Sequence, residues 1–373
     1  MIQRFFHPVG QGAFYSERHE CGINIVYDCG TAYSNKNKRA IREVVTQSFR
    51  KNDVIHILFI SHFDYDHISL IKTLKNSVNK IERVVIPLLH DNEEMFLSNI
   101  YKALGEPRLA KLVSDPSEFF GGETQVIKVR LGYENEFVER EPVNVSETHE
   151  PDLEIQSGTP LIMNDLDDWV YIPFNYEHQS LREEFLKKLK EKGVDIDILE
   201  KDSEYILEEE SMNKIKIVYK SLSGNINQNS MFLYSGPSSI KVSDRYYWRG
   251  RYWNQDPYCC CWCFDRYIYR CDPDRVACLY TGDGDLNKVR VKDTYKRYWN
   301  LIGTIQIPHH GSYSSFDATV LEDNNFLCPI SVGKNNSYGH PSWKVIGKII
   351  SSYSYPILVT EDANSAFIEI IEH

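Results

Sequence analysis

The apolar positions of this chain alternate between two periods, and the alternation recurs from one end to the other. Gly22 to Gly30 reads as a strand that stops at a glycine turn, and Val9-Gly10-Gln11-Gly12-Ala13 is a glycine-rich turn ahead of it. From Lys38 to Phe49 the spacing becomes helical, with Ile41, Val44, Val45, Ser48 and Phe49 on one stripe. Ile55 to Ile60 is a short apolar strand, Ile68 to Leu74 starts a helix, and Arg83 to Pro87 is a strand again. Residues 89–154 carry a weaker pattern and are expected as a surface excursion of helices and polar connections. Trp169 to Pro173 is a strand, and Leu181, Phe185 and Leu189 mark an amphipathic helix over 181–192. The charged stretch 195–210 fits a helix with a solvated face, so 178–226 is expected as a second largely helical or irregular excursion. Strands return at Met231–Tyr234, Val276–Tyr280, Gly303–Ile307 and Pro329–Val332. A helix over Trp343–Ser351 and strands at Ile357–Val359 and Ala366–Ile370 follow. Strands interleaved with helices over this length imply a layered α/β fold, read here as one domain over 1–373.

Composition narrows the picture only a little. Of the 373 residues 42% are hydrophobic, enough for a full core, and the net charge of −11 argues against binding polyanions over the whole surface. A local basic patch or bound cations remain compatible with it. No apolar run reaches the length of a membrane span, the first residues lack the apolar core of a signal peptide, and the nine cysteines are an odd number. The expectation is a cytoplasmic protein with no membrane association.

The chemistry concentrates at strand ends. Ser61-His62-Phe63-Asp64-Tyr65-Asp66-His67 follows the Ile55–Ile60 strand and puts two histidines and two aspartates in six positions. Imidazole and carboxylate together suit zinc, manganese or iron. Two more apolar runs end the same way: Val276–Tyr280 in Thr281-Gly282-Asp283, and Gly303–Ile307 in Pro308-His309-His310-Gly311-Ser312. Three strand ends thus offer enough ligands for two metal ions, and so dense a polar cluster points to a hydrolase.

This ordered set resembles the metallo-β-lactamase superfamily, and within it the ComEC-type domain of the bacterial DNA-uptake machinery and its soluble relatives. Val9–Gly12, Tyr27–Gly30, Ser61–Ile68, Asn229-Ser230, Thr281–Asp283, Pro308–Ser312 with Ser315, and Asn336–Ser342 stand in the family's order across nearly the whole chain. Pro8 and Ala13 depart from the pattern where aspartates are common, as do Ser69 and Leu70 where glycines are. The resemblance implies a four-layer αββα sandwich with insertions and two divalent ions, Zn2+ or Mn2+. It implies that His62 and Asp64 hold one metal, Asp66 and His67 the other, that Asp283 bridges them and that His309 completes the set. Asp66, His310 and His340 are the expected catalytic residues, the last two as candidates for protonating a leaving oxygen. Ser312 and Ser315 are expected to bind a phosphate.

One segment falls outside that scheme, an aromatic, basic and cysteine-rich insertion over 236–275. Arg245, Trp248, Arg249 and Arg251 lie in a run of rings and guanidiniums suited to stacking bases and pairing phosphates of a single strand. A hairpin with its rings on the core is the alternative. Cys259–Cys263 has one Cys-x-x-Cys spacing without a second pair, which suits a buried strand better than a zinc knuckle. The leading expectation is a metal-dependent phosphodiesterase, a nuclease on DNA or another nucleic acid, in the setting of a DNA-processing or bacterial defence system. A phosphodiesterase on a small diester, such as a cyclic nucleotide or phosphocholine ester, is the second reading. A non-catalytic interaction module on a hydrolase scaffold is the third. Protein partners and self-association are left open.

Overall fold

A computed structural model describes residues 1–372 except 34, 133–137, 178, 200–208, 222–228, 240–245, 252–274 and 323. Its strands are β1 (Ile2–Phe6), β2 (Phe14–His19), β3 (Asn24–Cys29), β4 (Val54–Ile55), β5 (Ile57–Phe59), β6 (Lys80–Ile81), β7 (Arg83–Pro87), β8 (Gln125–Val129), β9 (Val143–Asn144) and β10 (Asp152–Ile155). They continue as β11 (Leu161–Ile162), β12 (Trp169–Glu177), β13 (Asn229–Pro237), β14 (Tyr246–Arg251), β15 (Ala277–Tyr280), β16 (Ile302–Ile305), β17 (Leu327–Ser331), β18 (Tyr355–Val359) and β19 (Phe367–Glu372).

Two large sheets form. One runs β10-β8-β7-β5-β3-β2-β1-β19-β14, the other β18-β17-β16-β15-β13-β12-β11-β9, with β4 and β6 as a separate pair. Both mix directions: β3, β5, β7, β8 and β10 run parallel in the first sheet and β15 to β18 in the second, where β15-β13-β12-β11 then pair antiparallel and β9 lies parallel to β11.

The buried side chains separate into three apolar clusters, and these fix the layer order. One lies between the sheets and includes Tyr27, Phe59, Tyr171, Leu233 and Leu327. A second packs Val26, Leu58 and Val84 of the first sheet under Ile41, Phe96, Phe185 and Ile215 of helices. The third packs Phe232, Leu279 and Ile330 of the second sheet under Val345 and Ile349 of the helix Trp343–Ser351. Three interfaces between four layers make an αββα sandwich, the architecture the sequence resemblance implies. Because both faces of each sheet are covered, strands such as Ala277–Tyr280 are buried throughout and read as continuous apolar runs.

Residues 89–154 are more integral than a surface excursion. The helix Asp91–Ala103 buries Phe96, Leu97, Ile100 and Tyr101, and β8 and β10 extend the first sheet. The pattern looked weak because acidic residues fill the first turn of the helix Asp91–Ala103, and the helices Pro107–Ser114 and Pro116–Phe120 are short, with one residue between them. In 178–226, Phe185, Leu189 and Leu199 are fully buried, so the apolar face of that stretch completes the helical layer.

Between the sheets lies a buried ionic group that the sequence pattern did not reveal. Arg4 donates to Glu17 and to Glu369, each at 2.7 Å, and all three side chains are withdrawn from solvent. Glu17 also accepts from Tyr171, Ser235 and Tyr280. Burial works against the Arg4 charge, but Glu17 and Glu369 hold its pKa above the ordinary guanidinium value.

Candidate metal centre

Four strand ends meet at one pole of the sandwich, the carboxyl ends of β3, β5, β15 and β16. That is where open α/β sheets place their ligands. The β5 strand delivers Ser61 to Asp64, followed by the one-turn helix Tyr65–Ile68, which carries Asp66 and His67. Glycines hold this loop against its neighbours. A Cβ on Gly30 would stand 2.4 Å from the Asp66 carbonyl oxygen, and one on Gly282 would stand 2.8 Å from Ser61 Cβ. From above, the Tyr101 hydroxyl of the helix Asp91–Ala103 donates to the Phe63 carbonyl.

Asp283 sits on a turn pinned by Gln306, whose Oε1 accepts from Thr281 N (2.8 Å) and Gly282 N (2.9 Å). His309 and His310 both adopt left-handed backbone, with φ of 49° and 54°. That conformation is uncommon away from glycine and tends to persist where the surroundings enforce it for function. It also explains why both rings reach the same cleft, where an extended strand would send neighbours to opposite faces.

The side chains converge closely. His67 Nε2 lies 3.1 Å from Asp283 Oδ1, and His310 Nε2 lies 2.9 Å from Asp66 Oδ2. His62 Nε2 stands 3.6 Å from Asp64 Oδ2 and 3.9 Å from Asp283 Oδ2, and His309 Nε2 is also 3.9 Å from Asp283 Oδ2. Two groups of three have donor atoms close enough to share one ion: His62, His67 and Asp283, and Asp66, His67 and His310. Asp64 and His309 border these groups. Ser312 and Ser315 are buried beside them, Ser315 Oγ 3.2 Å from His309 Nδ1. His340 joins the rim with its ring 5.7 Å from that of His309.

Residues behind the candidate ligands set their direction, and the sequence alone assigns them no role. Asp28, itself left-handed at φ 56°, accepts from Ser61 N (2.7 Å), Ser61 Oγ (2.6 Å) and His67 Nδ1 (2.8 Å). Ser61 Oγ is also 2.7 Å from His62 Nδ1. The His310 Nδ1 position lies 2.8 Å from the Ser331 carbonyl, which can only accept, so His310 presents Nε2 to the cleft. The aspartate in Tyr27-Asp28-Cys29-Gly30, at a strand end like the candidate ligands, is the available signal.

The electrostatics fit a divalent cation. His62 Nε2 and Asp283 Oδ2 are buried without a hydrogen-bond partner, and both border the same space. A nitrogen lone pair and a carboxylate oxygen left so are costly unless something positive satisfies them. Burial, reinforced by the neighbouring His67, pushes His62 down to about 3, so its ring is neutral and its lone pair available. Burial opposes charge on Asp283 too, but His67 and His309 hold it well below the usual carboxylate range. His67 is also desolvated, yet Asp283 and Asp28 raise its pKa well above the ordinary imidazole value. His340 is pushed down to about 4 by burial and then by His309 and His310, which leaves it neutral at pH 7.

The arginine–aromatic stretch lies elsewhere. The β14 backbone pairs with β19 from Tyr246↔Glu372 to Arg251↔Phe367, at the far edge of the first sheet. That edge is five strand spacings, roughly 24 Å, from β5. The side chains of Trp248, Arg249 and Arg251, all of Arg245, and Cys259–Cys263 lie outside the described residues.

Fold and donor set together define an αββα sandwich with a candidate divalent-metal centre at the carboxyl ends of its strands. No protein-family model matches the sequence, and no curated protein is significantly similar to it. Among solved structures, the chain is similar to a long-form RNase Z from yeast, with 9% identity, a TM-score of 0.36 and 90% of this chain covered. It spans 37% of the length of that enzyme. It is also similar to Zn(2+)-bound PqqB from Methylobacterium extorquens, with 6% identity, a TM-score of 0.37 and the full length of both chains covered.

Proposed function

We propose that this protein is a metal-dependent hydrolase of metallo-β-lactamase type that cleaves phosphodiester bonds in nucleic acid. The observation that carries the reading is the pair of adjoining donor groups that overlap at His67, with His62 Nε2 and Asp283 Oδ2 of the first buried and without a hydrogen-bond partner. His62 and Asp283 would hold one ion and Asp66 and His310 a neighbouring one, with the single free lone pair of His67, at Nε2, serving one of the two; Asp64 borders His62, and His309 borders Asp283. Bound divalent ions at such a site lower the pKa of water and neutralise charge on phosphoryl oxygens. The chain's own residues do the rest. Asp28 and Ser61 keep His67 and His62 in the tautomers that leave Nε2 free. Ser312, whose Oγ is 2.8 Å from that of Ser314, and Ser315 offer hydroxyls on the floor beside His309 for a phosphate oxygen. His340, neutral and on the rim, is suited to hydrogen-bond the leaving side of the substrate.

Two features support a phosphodiester over a small apolar ester: the donor groups each include a carboxylate beside two imidazoles, and the hydroxyls of Ser312 and Ser315 flank them. Among the described residues no helix is long and apolar enough to cross a membrane. The test is a screen of metal-depleted protein, resupplied with manganese or zinc, against labelled DNA, RNA and small diesters. Cleavage of a nucleic acid that EDTA abolishes and Asp283→Asn eliminates is the expected result. Intact DNA, RNA and diesters under every metal would refute it.

A further inference from the structure

The metal centre opens beside a group of exposed rings that the fold has no need of. Trp343, Tyr338 and Tyr313 are 87%, 42% and 50% exposed, on loops or a helix end that also carry site residues. The backbone ties them to the site. Ser342 N donates to the Gly311 carbonyl, and the Asn336 side chain donates to the His340 carbonyl. The rings of His309, His340 and Tyr338 follow one another outward, with centroids 5.7 Å and then 6.2 Å apart. Beside them Lys344 Nζ stands 4.9 Å over the Tyr313 ring, which puts a cation next to an aromatic face.

The local charge differs from that of the whole chain. Between Asn324 and Thr360 there are three lysines (Lys334, Lys344 and Lys348) and no acidic residue, in a protein of net charge −11. Lys334 pairs with Asp362, but Lys344 and Lys348 are exposed on the helix Trp343–Ser351. Flat rings with cations between them take unpaired bases by stacking and their phosphates by charge. A duplex keeps its base faces stacked inside and cannot use such rings.

We infer that Tyr338, Tyr313 and Trp343 with Lys344 form a stacking platform for unpaired bases flanking the scissile phosphate, so that the substrate is single-stranded nucleic acid. This rests on the phosphodiester reading above. It places single-strand recognition next to the metal centre, on residues other than the arginine–aromatic stretch at the distant sheet edge.

The experiment measures binding of the metal-depleted full-length protein to fluorescein-labelled dT15 and to the same length of duplex, by anisotropy at several salt concentrations. Hydrolysis of bis(4-nitrophenyl) phosphate with manganese is run alongside. The single strand should bind more tightly than the duplex. Tyr338→Ala and Trp343→Ala should each weaken single-strand binding about 5- to 100-fold. Lys344→Gln should lower the salt slope by about 0.7. If the small diester is hydrolysed while both alanine variants bind dT15 like the native protein, the platform is wrong and the phosphodiester reading stands. If neither the diester nor any oligonucleotide is cut under any metal, both fall. If Trp343→Ala changes the molecular mass in solution and leaves dT15 affinity unaltered, the surface joins two copies of the chain, and the inference is likewise overturned.

Discussion

Replacing Asp28 by asparagine should weaken metal binding by setting the wrong tautomer on His67. Asparagine has nearly the same volume and tolerates left-handed backbone, so φ 56° at this position is not a new source of strain. In the native protein Asp28 Oδ1 accepts from Ser61 N, while Oδ2 accepts from both Ser61 Oγ and His67 Nδ1. An amide keeps one oxygen, which stays with Ser61 N. Its NH2 then faces the hydroxyl and the imidazole. The hydroxyl can rotate and accept, but His67 Nδ1 must lose its hydrogen, and that hydrogen moves to Nε2. Nε2 is the atom 3.1 Å from Asp283 that a cation would take. A hydrogen bond to a charged group is worth about 1.5–3 kcal/mol, and losing an orienting partner of a ligating histidine typically costs about 10- to 100-fold in metal affinity. The two figures agree, since tenfold is about 1.4 kcal/mol. Competition titration with a chromophoric chelator reads the affinity, and near-ultraviolet circular dichroism checks that the fold persists. Zinc affinity within twofold or so of native would refute the tautomer argument.

Other consequences are independent of that one. Gly30→Ala should lower both thermal stability and metal content, since its Cβ would meet the Asp66 carbonyl at 2.4 Å; a native melting temperature and full metal content would show that the ligand loop can move away. Arg4→Met should cost about 3–5 kcal/mol in denaturant unfolding, because Glu17 and Glu369 then share a dry site without their cation. His7 is pushed down to about 3 by burial and then by Arg18, against 6.5 in the unfolded chain. Between those values the unfolded chain binds a proton that the folded one does not, so stability falls as pH drops below 6.5, by up to about 1.4 kcal/mol per pH unit. Metal-free His7→Leu should show a flatter acid limb than the metal-free native protein, and parallel limbs would contradict the assignment.

Much of this molecule is legible in its sequence because its sheets are buried on both faces and its candidate metal-binding residues sit at strand ends. Ile55–Ile60 followed by His62 to His67 announces a strand and the candidate site at its end, and the helix Trp343–Ser351 has the bounds its apolar spacing predicts. What escaped notice is polar and buried. Arg4 and Glu17 lie on short strands where a lone charge suggests solvent, and Glu369 is 365 residues from its partner. Nothing local marks them as a triad. Asp28 and Gln306 act through other residues, and a single sequence gives no sign of that. The His309-His310 pair could not be resolved by alternation, because left-handed backbone at both positions cancels it. Residues 89–154 looked peripheral for a different reason: Asp91, Glu93 and Glu94 fill the first turn of the helix Asp91–Ala103, and the two helices after it are short.

The central claim is that this cleft holds divalent ions and hydrolyses a phosphodiester. Its most direct test follows a labelled single-stranded oligonucleotide with native protein that has been metal-depleted and resupplied with manganese or zinc, alongside Asp283→Asn. The account predicts cleavage by the resupplied native protein, none after depletion and none by the variant. An oligonucleotide left intact by native protein shown to contain the metal, or cleaved equally by Asp283→Asn, would contradict it.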